Sequence, residues 1–265
     1  MTFDEFLREA CADLDLAWRK YRRRSARHRL DERLRELGLD DYRAYLERLR
    51  TEPSEAAGLA DLLRVTVSRF FRERGCWRDL SKIVLPALIA KRQTGSLHIW
   101  SAGCCGGEEP YTVVLVWLDY LQPLHPALEV EILATDIDET SLARARQHSY
   151  SAGSLREVPP ELLDRWFCSE NGLWRLDERV TGLVDFKVHN LMTDPPPKGV
   201  DLALCRYLAF TYYRGSRLLS ATTRLWEALR PGGALMIGKK EGIPPAALEY
   251  FEPWPGCAGV YRRRG

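Results

Sequence analysis

The stretch Leu97-His-Ile-Trp-Ser-Ala-Gly-Cys-Cys-Gly-Gly-Glu-Glu-Pro-Tyr111 decides the fold of this chain. An apolar run of strand type gives way to a glycine loop, and a helix opens behind the loop. Further on, Ala134-Thr-Asp-Ile-Asp138 ends a second such run in acids. Ligands of open α/β sheets sit outside the carboxyl ends of the strands. Gly103, Gly106 and Gly107 therefore stand where missing side chains let the backbone approach a bound molecule. The loop is Gly-x-x-Gly-Gly rather than the dinucleotide pattern Gly-x-Gly-x-x-Gly, and the chain has no Gly-Lys-Ser/Thr phosphate loop. Glu108 and Glu109 open the following helix. Two carboxylates suit a helix N-terminus but repel a pyrophosphate. A cofactor carrying an ammonium or sulfonium group fits better, and S-adenosylmethionine carries both. Asp136, at the end of the second run, is placed to accept hydrogen bonds from ribose hydroxyls.

Outward from this stretch, strand patterns fall at 96–101, 129–135, 184–189, 200–205 and 233–238. Helical patterns fall at 108–121, 139–147, 160–167 and 216–230. Such alternation predicts a mostly parallel sheet with helices on both faces. Pro195–Gly199 and Pro231-Gly232-Gly233 read as turns. Gly172–Leu176 followed by Arg179-Val180 reads as a small hairpin hung on the sheet. Upstream, residues 1 to 80 are helical in pattern. Phe3, Phe6, Leu7, Ala10, Leu14 and Trp18 recur at helical spacing. Leu30, Leu34 and Leu37 continue the pattern to a C-cap at Gly38. Asp40-Asp41 opens a helix bearing Tyr42, Tyr45, Leu46 and Leu49, and Thr51–Glu55 separates it from another at 56–64. The expected organisation is α/β: a helical N-terminal domain and linker over 1–80, then a doubly wound domain over 81–265 with a β insertion at about 168–183.

Composition excludes several classes. The 265 residues carry a net charge of +2, with 45% hydrophobic and 29% charged residues, an ordinary globular balance. No apolar run approaches the ~20 residues that span a bilayer, and the acidic, amphipathic start is unlike a signal peptide. Cys11, Cys76, Cys104, Cys105, Cys168, Cys205 and Cys257 form no Cys-x-x-Cys pair and no zinc spacing, so no metal site is expected. Scattered, odd-numbered thiols read as reduced cysteines of a cytoplasmic protein. Charge is uneven: Arg19, Lys20, Arg22, Arg23, Arg24, Arg27 and Arg29 lie in one block without an acid. Such a basic helix over 19–29 can steer an acidic partner, can face a nucleic-acid backbone, or can be a solvated face. No aromatic-rich RNA motif or zinc module accompanies it.

Over nearly its whole length the chain resembles the chemotaxis-receptor glutamate methyltransferases (CheR-type). Trp100-Ser-Ala-Gly-Cys-x-x-Gly-Glu-Glu-Pro-Tyr111 resembles the family's cofactor loop. Ala134–Asp138, Val184-Asp-Phe186 with Asn190-Leu191, Cys205-Arg206 and Leu229-x-Pro-Gly-Gly233 follow in family order. The resemblance implies a class I methyltransferase fold, S-adenosylmethionine as donor and S-adenosylhomocysteine as product. It implies that Asp136 holds the ribose, that Asn190 and Leu191 lie by the adenosine, and that Glu108 or Glu109 meets the methionine amine. Cys205 and Arg206 complete the implied cofactor set. Ser68 and Arg72, in Ser68-Arg-Phe-Phe-Arg-Glu73, match the family's linker motif, whose arginine lies close to methyl group and substrate. A guanidinium can orient an incoming carboxylate through paired hydrogen bonds.

The family's Cys-Arg-Asn-x-x-x-Tyr-Phe run reads here Cys205-Arg-Tyr-Leu-Ala-Phe-Thr-Tyr-Tyr213. Tyr207 stands for the asparagine and Thr211 for the tyrosine, so a catalytic phenol is expected from Tyr212 through a one-residue shift. The family's Gly-His-Ser-Glu reads Gly238-Lys-Lys-Glu241. The implied acceptor is a glutamate on an acidic helical protein such as a chemoreceptor, docked by the basic segment. Only sixteen residues separate Phe167 from Val184, so binding of a receptor-tail peptide is not expected. Two rival readings stand beside this one: the same scaffold methylating a small molecule or nucleic acid, and a non-catalytic module that binds donor or product and signals.

Overall fold

The computed structural model describes residues 1–92 and 95–265. Ten strands are present among them: β1 (Gly95–Ala102), β2 (Leu128–Asp136), β3 (Ser149–Tyr150), β4 (Phe167–Glu170), β5 (Leu173–Leu176), β6 (Val184–Val188), β7 (Val200–Leu204), β8 (Leu229–Met236), β9 (Phe251–Pro253) and β10 (Val260–Arg263). Seven of them form one sheet in the order β6-β2-β1-β7-β8-β10-β9. The first five run parallel, while β10 pairs antiparallel with both β8 and β9. From β1 the chain adds β2 and then β6 on one side, and returns to lay β7 on the other. The strand order reverses between β1 and β7, which opens a crevice at their carboxyl ends.

The sequence explains this sheet. β7 is buried at every position, as a central parallel strand must be. Its one acid, Asp201, is tolerated because Arg92 pairs with it at 2.9 Å and the His98 backbone N–H donates to it at 2.9 Å. Pro231-Gly232-Gly233 is a bulge inside β8 rather than a turn before it, shifting register between Val200 and Leu202. A Cβ on Gly233 would stand 2.9 Å from the Arg230 carbonyl oxygen and 3.1 Å from that of Asp201, so only glycine fits. The short strands β9, at the edge, and β10, beside it, lack clear alternation and escape a periodicity reading.

The small β element also differs from expectation. The hairpin partner of β5 is the upstream β4, with β3 on the other side of β5 in a three-stranded sheet. Arg179 and Val180 lie instead in a helical turn, Glu178–Thr181, opened by Asp177, whose carboxylate accepts from the Arg179 N–H at 2.8 Å. Trp174 packs against the main core.

Two compact units make up the chain: Met1–Val65 with Ala209–Leu219, and Thr66–Leu208 with Ser220–Gly265. Segment 66–80, assigned to the helical part by sequence, belongs to the larger unit. Residues 209–219 belong to the smaller one. In that smaller unit, the helix Phe3–Asp13 starts on a capping box: the Thr2 hydroxyl accepts from the Glu5 N–H and the Glu5 carboxylate accepts from the Thr2 N–H. Phe6, Leu7, Leu30, Tyr45 and Leu59 form its core. Asp15 ties in the returning segment, accepting from the N–H and hydroxyl of Ser216, while its carbonyl accepts from the Arg214 N–H.

The basic block is not one helix. Trp18–Tyr21 is a turn of 3-10 helix, Arg23 is extended, and the next α-helix starts at Arg24 and runs to Glu36. The charges are partly spent locally. Arg22 pairs with Asp4 at 2.7 Å, and Arg29 donates to the carbonyls of Leu62 and Arg64, both at 2.7 Å. Trp18 draws Arg8, Arg19 and Arg22 over its ring at 5.2–5.9 Å; the first helix has already ended at Asp13, before the left-handed Asp15 (φ 53°).

Candidate active site

The crevice between β1 and β7 is built from the loops that follow those strands, both in the larger unit. After β1 the backbone turns through left-handed residues at Gly103 (φ 76°), Cys105 (φ 53°) and Gly107 (φ 86°). A Cβ on Gly103 would come within 2.5 Å of the Leu208 side chain, which arrives from the end of β7. The Gly103 and Cys104 N–H groups donate to the Thr135 carbonyl at 2.7 and 2.9 Å, holding the loop against the end of β2.

Asp136 is fixed there. One carboxylate oxygen accepts from the Cys105 N–H at 2.8 Å and the other from the Asp138 N–H at 3.0 Å. Each ionised oxygen keeps further acceptor sites, so the carboxylate is oriented without being used up. Asn190 and Leu191 follow β6. The Asn190 side-chain oxygen accepts from the Met192 N–H at 2.9 Å, an Asx turn, and Leu191 is buried.

The two glutamates that open the helix Glu108–Val116 have different surroundings. Glu108 is 6% exposed, and one of its carboxylate oxygens is buried with no hydrogen-bond partner among the described residues. Burial pushes its carboxyl above the usual glutamate range, against the pull of Arg144 and a hydrogen bond from Ser68. A Cβ on Gly106 would stand 3.0 Å from that unpartnered oxygen, so glycine keeps the approach clear. Tyr150 holds the Gly106 carbonyl from behind, donating at 2.9 Å. An unsatisfied buried carboxylate oxygen is costly unless a donor arrives. The ammonium of S-adenosylmethionine is such a donor, and the residues present fit it.

Glu109 is spoken for. Ser101 donates to one oxygen at 2.8 Å and Arg206 to the other at 3.5 Å. Burial raises its carboxyl too, opposed by Arg206. Arg206 joins Glu109 to the segment 72–73. It donates to Glu73 at 2.9 Å and to the Arg72 carbonyl at 2.8 Å, and it lies 5.1 Å from the Trp77 ring centroid. Its position after β7 follows from the preceding Cys205, fully buried, whose N–H donates to the Met236 carbonyl of β8 at 3.0 Å.

The motif Ser68–Glu73 is pinned at several points. The Phe71 N–H donates to the Thr112 hydroxyl at 3.2 Å, Trp77 Nε1 donates to the Arg72 carbonyl at 2.9 Å, and the Glu73 N–H donates to Glu157 at 3.1 Å. Phe71 and Glu73 both hold left-handed backbone, φ 51° and 64°, on either side of Arg72. Such conformations cost about 1–3 kcal/mol each and cluster where function holds a side chain in place. The half-buried Arg72 guanidinium lies 3.7 Å from the centroid of the Tyr207 ring, and no ion-pair partner for it occurs among the described residues.

Ser68, Arg72, Glu108, Glu109 and Arg206 are thus gathered at the carboxyl ends of β1 and β7, beside the glycines and Asp136. The catalytic phenol expected from the sequence is that of Tyr212. It belongs to the helical unit, its ring 5.2 Å from Tyr21 and its carbonyl accepting from the Ala17 N–H at 2.8 Å. The phenol beside Arg72 is that of Tyr207, because the chain after β7 keeps its register and turns left-handed at Tyr207 (φ 57°) instead of slipping by one. Two further residues have no role in a sequence reading. Glu73 binds Arg206, the Tyr207 hydroxyl and the Lys239 N–H. Glu241 accepts from the N–H groups of Tyr207 and Gly238 at 2.8 and 2.7 Å. An acid directly after Phe70-Phe71-Arg72 was the one available signal for Glu73; its side-chain partners lie more than 130 positions away in sequence.

Residues 66–257 match the family model described as the CheR methyltransferase SAM-binding domain, and residues 1–63 match that of the CheR methyltransferase all-alpha domain. Among curated relatives, the chain is 34% identical to a protein of Rhizobium etli named "Probable chemotaxis protein methyltransferase", over 84% of this chain and 86% of that one. It is 33% identical to the chemotaxis protein methyltransferase of Listeria monocytogenes, over 69% and 67%. It is also 29% identical to part of an uncharacterized 104.1 kDa protein of Rhodobacter capsulatus, over 84% of this chain but 23% of that longer one.

Proposed function

The chain belongs to the CheR methyltransferase family, and from that premise we propose that it esterifies glutamate side chains of an acidic helical protein of the chemoreceptor kind. The methyl donor is S-adenosylmethionine, and the chain is a methyltransferase dependent on it. When bound, that donor would supply a methyl carbon activated by its sulfonium; transfer would form the ester O–C bond as the C–S bond breaks and S-adenosylhomocysteine leaves, and an already ionised carboxylate has no proton to move.

Glu108 would hold the ammonium of the donor through its free buried oxygen, and Asp136 the ribose hydroxyls. Gly103 and Gly106 would let the main chain come close, Ser68 would steady Glu108, and Asn190 with Leu191 would flank the adenosine. Cys205 and Arg206 would shape the floor, the latter by fixing the Arg72 carbonyl. Arg72 would receive the acceptor carboxylate. A glutamate acceptor needs alignment and desolvation rather than a base, so the work of the residues is proximity.

The observation that carries this reading is the Arg72 guanidinium: it is half-buried, stacked on Tyr207, and without an ion-pair partner among the described residues. Stacking occupies the face of a guanidinium and leaves its in-plane donors for a carboxylate. On the helical unit, the exposed Arg19, Lys20, Arg23 and Arg24 supply a positive surface for an acidic partner.

The test uses the full chain, methyl-labelled S-adenosylmethionine, and membrane and soluble fractions of the host cell. Label in a membrane receptor that is released by mild base as methanol is the expected result. Base-stable label, or label confined to RNA or small molecules, overturns the glutamyl acceptor. Donor binding with no labelled product in any fraction turns the reading towards a sensor module.

A further inference from the structure

The face of Arg72 is occupied by one residue, and the way that residue is held carries a further role. Tyr207 is fixed at both ends by carboxylates. Its N–H donates to Glu241 at 2.8 Å, and its hydroxyl donates to Glu73. Its backbone is left-handed at φ 57°, an uncommon conformation for a bulky residue. Opposite the ring lies Gly238, where a Cβ would stand 2.7 Å from the Tyr207 Cζ and 2.8 Å from the Glu241 carboxylate. Glycine there makes room for the ring, and Glu241 ties the Gly238 N–H to the Tyr207 N–H.

The second carboxylate, Glu73, is next to Arg72 in sequence yet turned away from its guanidinium. Its oxygens are taken by the Tyr207 hydroxyl, by Arg206 at 2.9 Å and by the Lys239 N–H at 3.1 Å. The neighbouring acid therefore does not neutralise Arg72; it anchors the ring on which Arg72 rests.

We propose that Tyr207 is the positioning residue for Arg72 in this protein: a clamped aromatic platform that holds the guanidinium plane so that its in-plane donors meet the acceptor carboxylate. The role rests on the proposed reading of Arg72 as the acceptor's anchor. It also gives meaning to the tyrosine that stands where the resembled pattern has asparagine, a residue without a ring face. Tyr207 touches neither reacting atom and acts through Arg72.

The experiment follows acceptor methylation by the full chain, with the base-labile host receptor fraction as probe, in Tyr207→Leu, Tyr207→Phe, Arg72→Ala and the Arg72→Ala/Tyr207→Leu double variant. Donor affinity is followed in parallel by calorimetry. Tyr207→Leu is expected to lower kcat/KM for the acceptor by about 10-fold, the scale of a partly desolvated cation–π contact, with donor affinity changed less than about 3-fold on that scale. Tyr207→Phe keeps the ring and is expected to retain most of the activity. The double variant is expected to be no worse than Arg72→Ala alone, because a residue that acts through another adds nothing once the other is gone.

Additive losses in the double variant overturn the positioning role, as does equal damage from Phe and Leu, or full activity in Tyr207→Leu while Arg72→Ala is impaired. An Arg72→Ala variant as active as wild type, or a wild-type chain that labels no receptor, overturns the reading of Arg72 itself, and the role of Tyr207 falls with it.

Discussion

The two halves of the crevice hold their groups by different means. On the donor side, the loop Gly103–Gly107 and Asp136 are fixed mostly by backbone: N–H groups of Gly103 and Cys104 on the Thr135 carbonyl, and of Cys105 and Asp138 on the Asp136 carboxylate. On the side proposed for the acceptor, Arg72, Glu73, Arg206, Tyr207 and Glu241 hold one another largely through side chains drawn from three separate segments. A site of the first kind is carried by a short motif and tolerates distant change. One of the second kind depends on every member, and altering one residue can re-aim the group that receives substrate.

The contrast is broken or sharpened by a graded set of variants. The largest effect is expected for Arg72→Ala: a loss of about 100-fold or more in acceptor kcat/KM, the scale on which a misplaced reactant costs rate. Circular dichroism and thermal melts should show the fold retained; unchanged turnover would remove Arg72 from the acceptor side altogether.

Next comes Glu108→Gln, expected to weaken donor binding by about 10- to 100-fold, the scale of one charge-assisted hydrogen bond. The Glu108 carboxyl is raised by burial, and an incoming ammonium would favour its ionised form, so donor binding is linked to proton release. Wild-type affinity should therefore fall as pH drops through that raised value. Calorimetry in two buffers of different ionisation heat should show proton release that the variant lacks. The stability sign is opposite: a raised carboxyl stabilises the fold below its ordinary range and loses that contribution as pH climbs through the raised value.

A smaller change is expected for Glu73→Gln. Burial pushes this carboxyl up, but hydrogen bonds from Tyr207 and the Lys239 N–H, with the nearby Arg206 charge, outweigh it and hold it below the usual range. Its contribution to stability is therefore present above the ordinary glutamate range and is lost as pH falls through the lowered value. The variant should lose about 1–3 kcal/mol at neutral pH and show a shallower acid limb in urea melts across pH. An unaltered acid limb would detach Glu73 from the clamp. The smallest effect belongs outside the crevice: Thr2→Ala removes a capping hydroxyl and should cost the helical unit about 1 kcal/mol, with donor affinity untouched.

Much of the donor side was legible in the chain itself. Gly103, Gly106, Glu108, Glu109 and Asp136 lie in two short segments at the ends of consecutive strands, and their chemistry follows from residue type and order. The acceptor side was legible only in part. Arg72 and Arg206 carry recognisable motifs, but the separation of the two glutamates, Glu108 with a free oxygen and Glu109 tied to Ser101 and Arg206, needed the packed structure. Tyr207 looked like a lost asparagine, Thr211 like a lost tyrosine, and Tyr212 like the remedy for that tyrosine. The left-handed turn at Tyr207 lays its ring on Arg72, while Tyr212 packs on Tyr21 within the helical unit, and neither φ nor a long-range ring contact leaves a periodic trace. The basic block likewise reads as one helix, whereas the turn at Trp18–Tyr21 and the extended Arg23 divide it.

By itself, the sequence determined a mostly parallel, doubly wound sheet and a cationic nucleoside cofactor at its carboxyl edge, because strand periodicity, glycine and charge act locally. The tertiary structure alone decided which ring supports Arg72, which glutamate is left open, and where 209–219 belongs. Those outcomes depend on groups far apart along the chain that meet only when the core closes, and on burial, which no single residue type specifies.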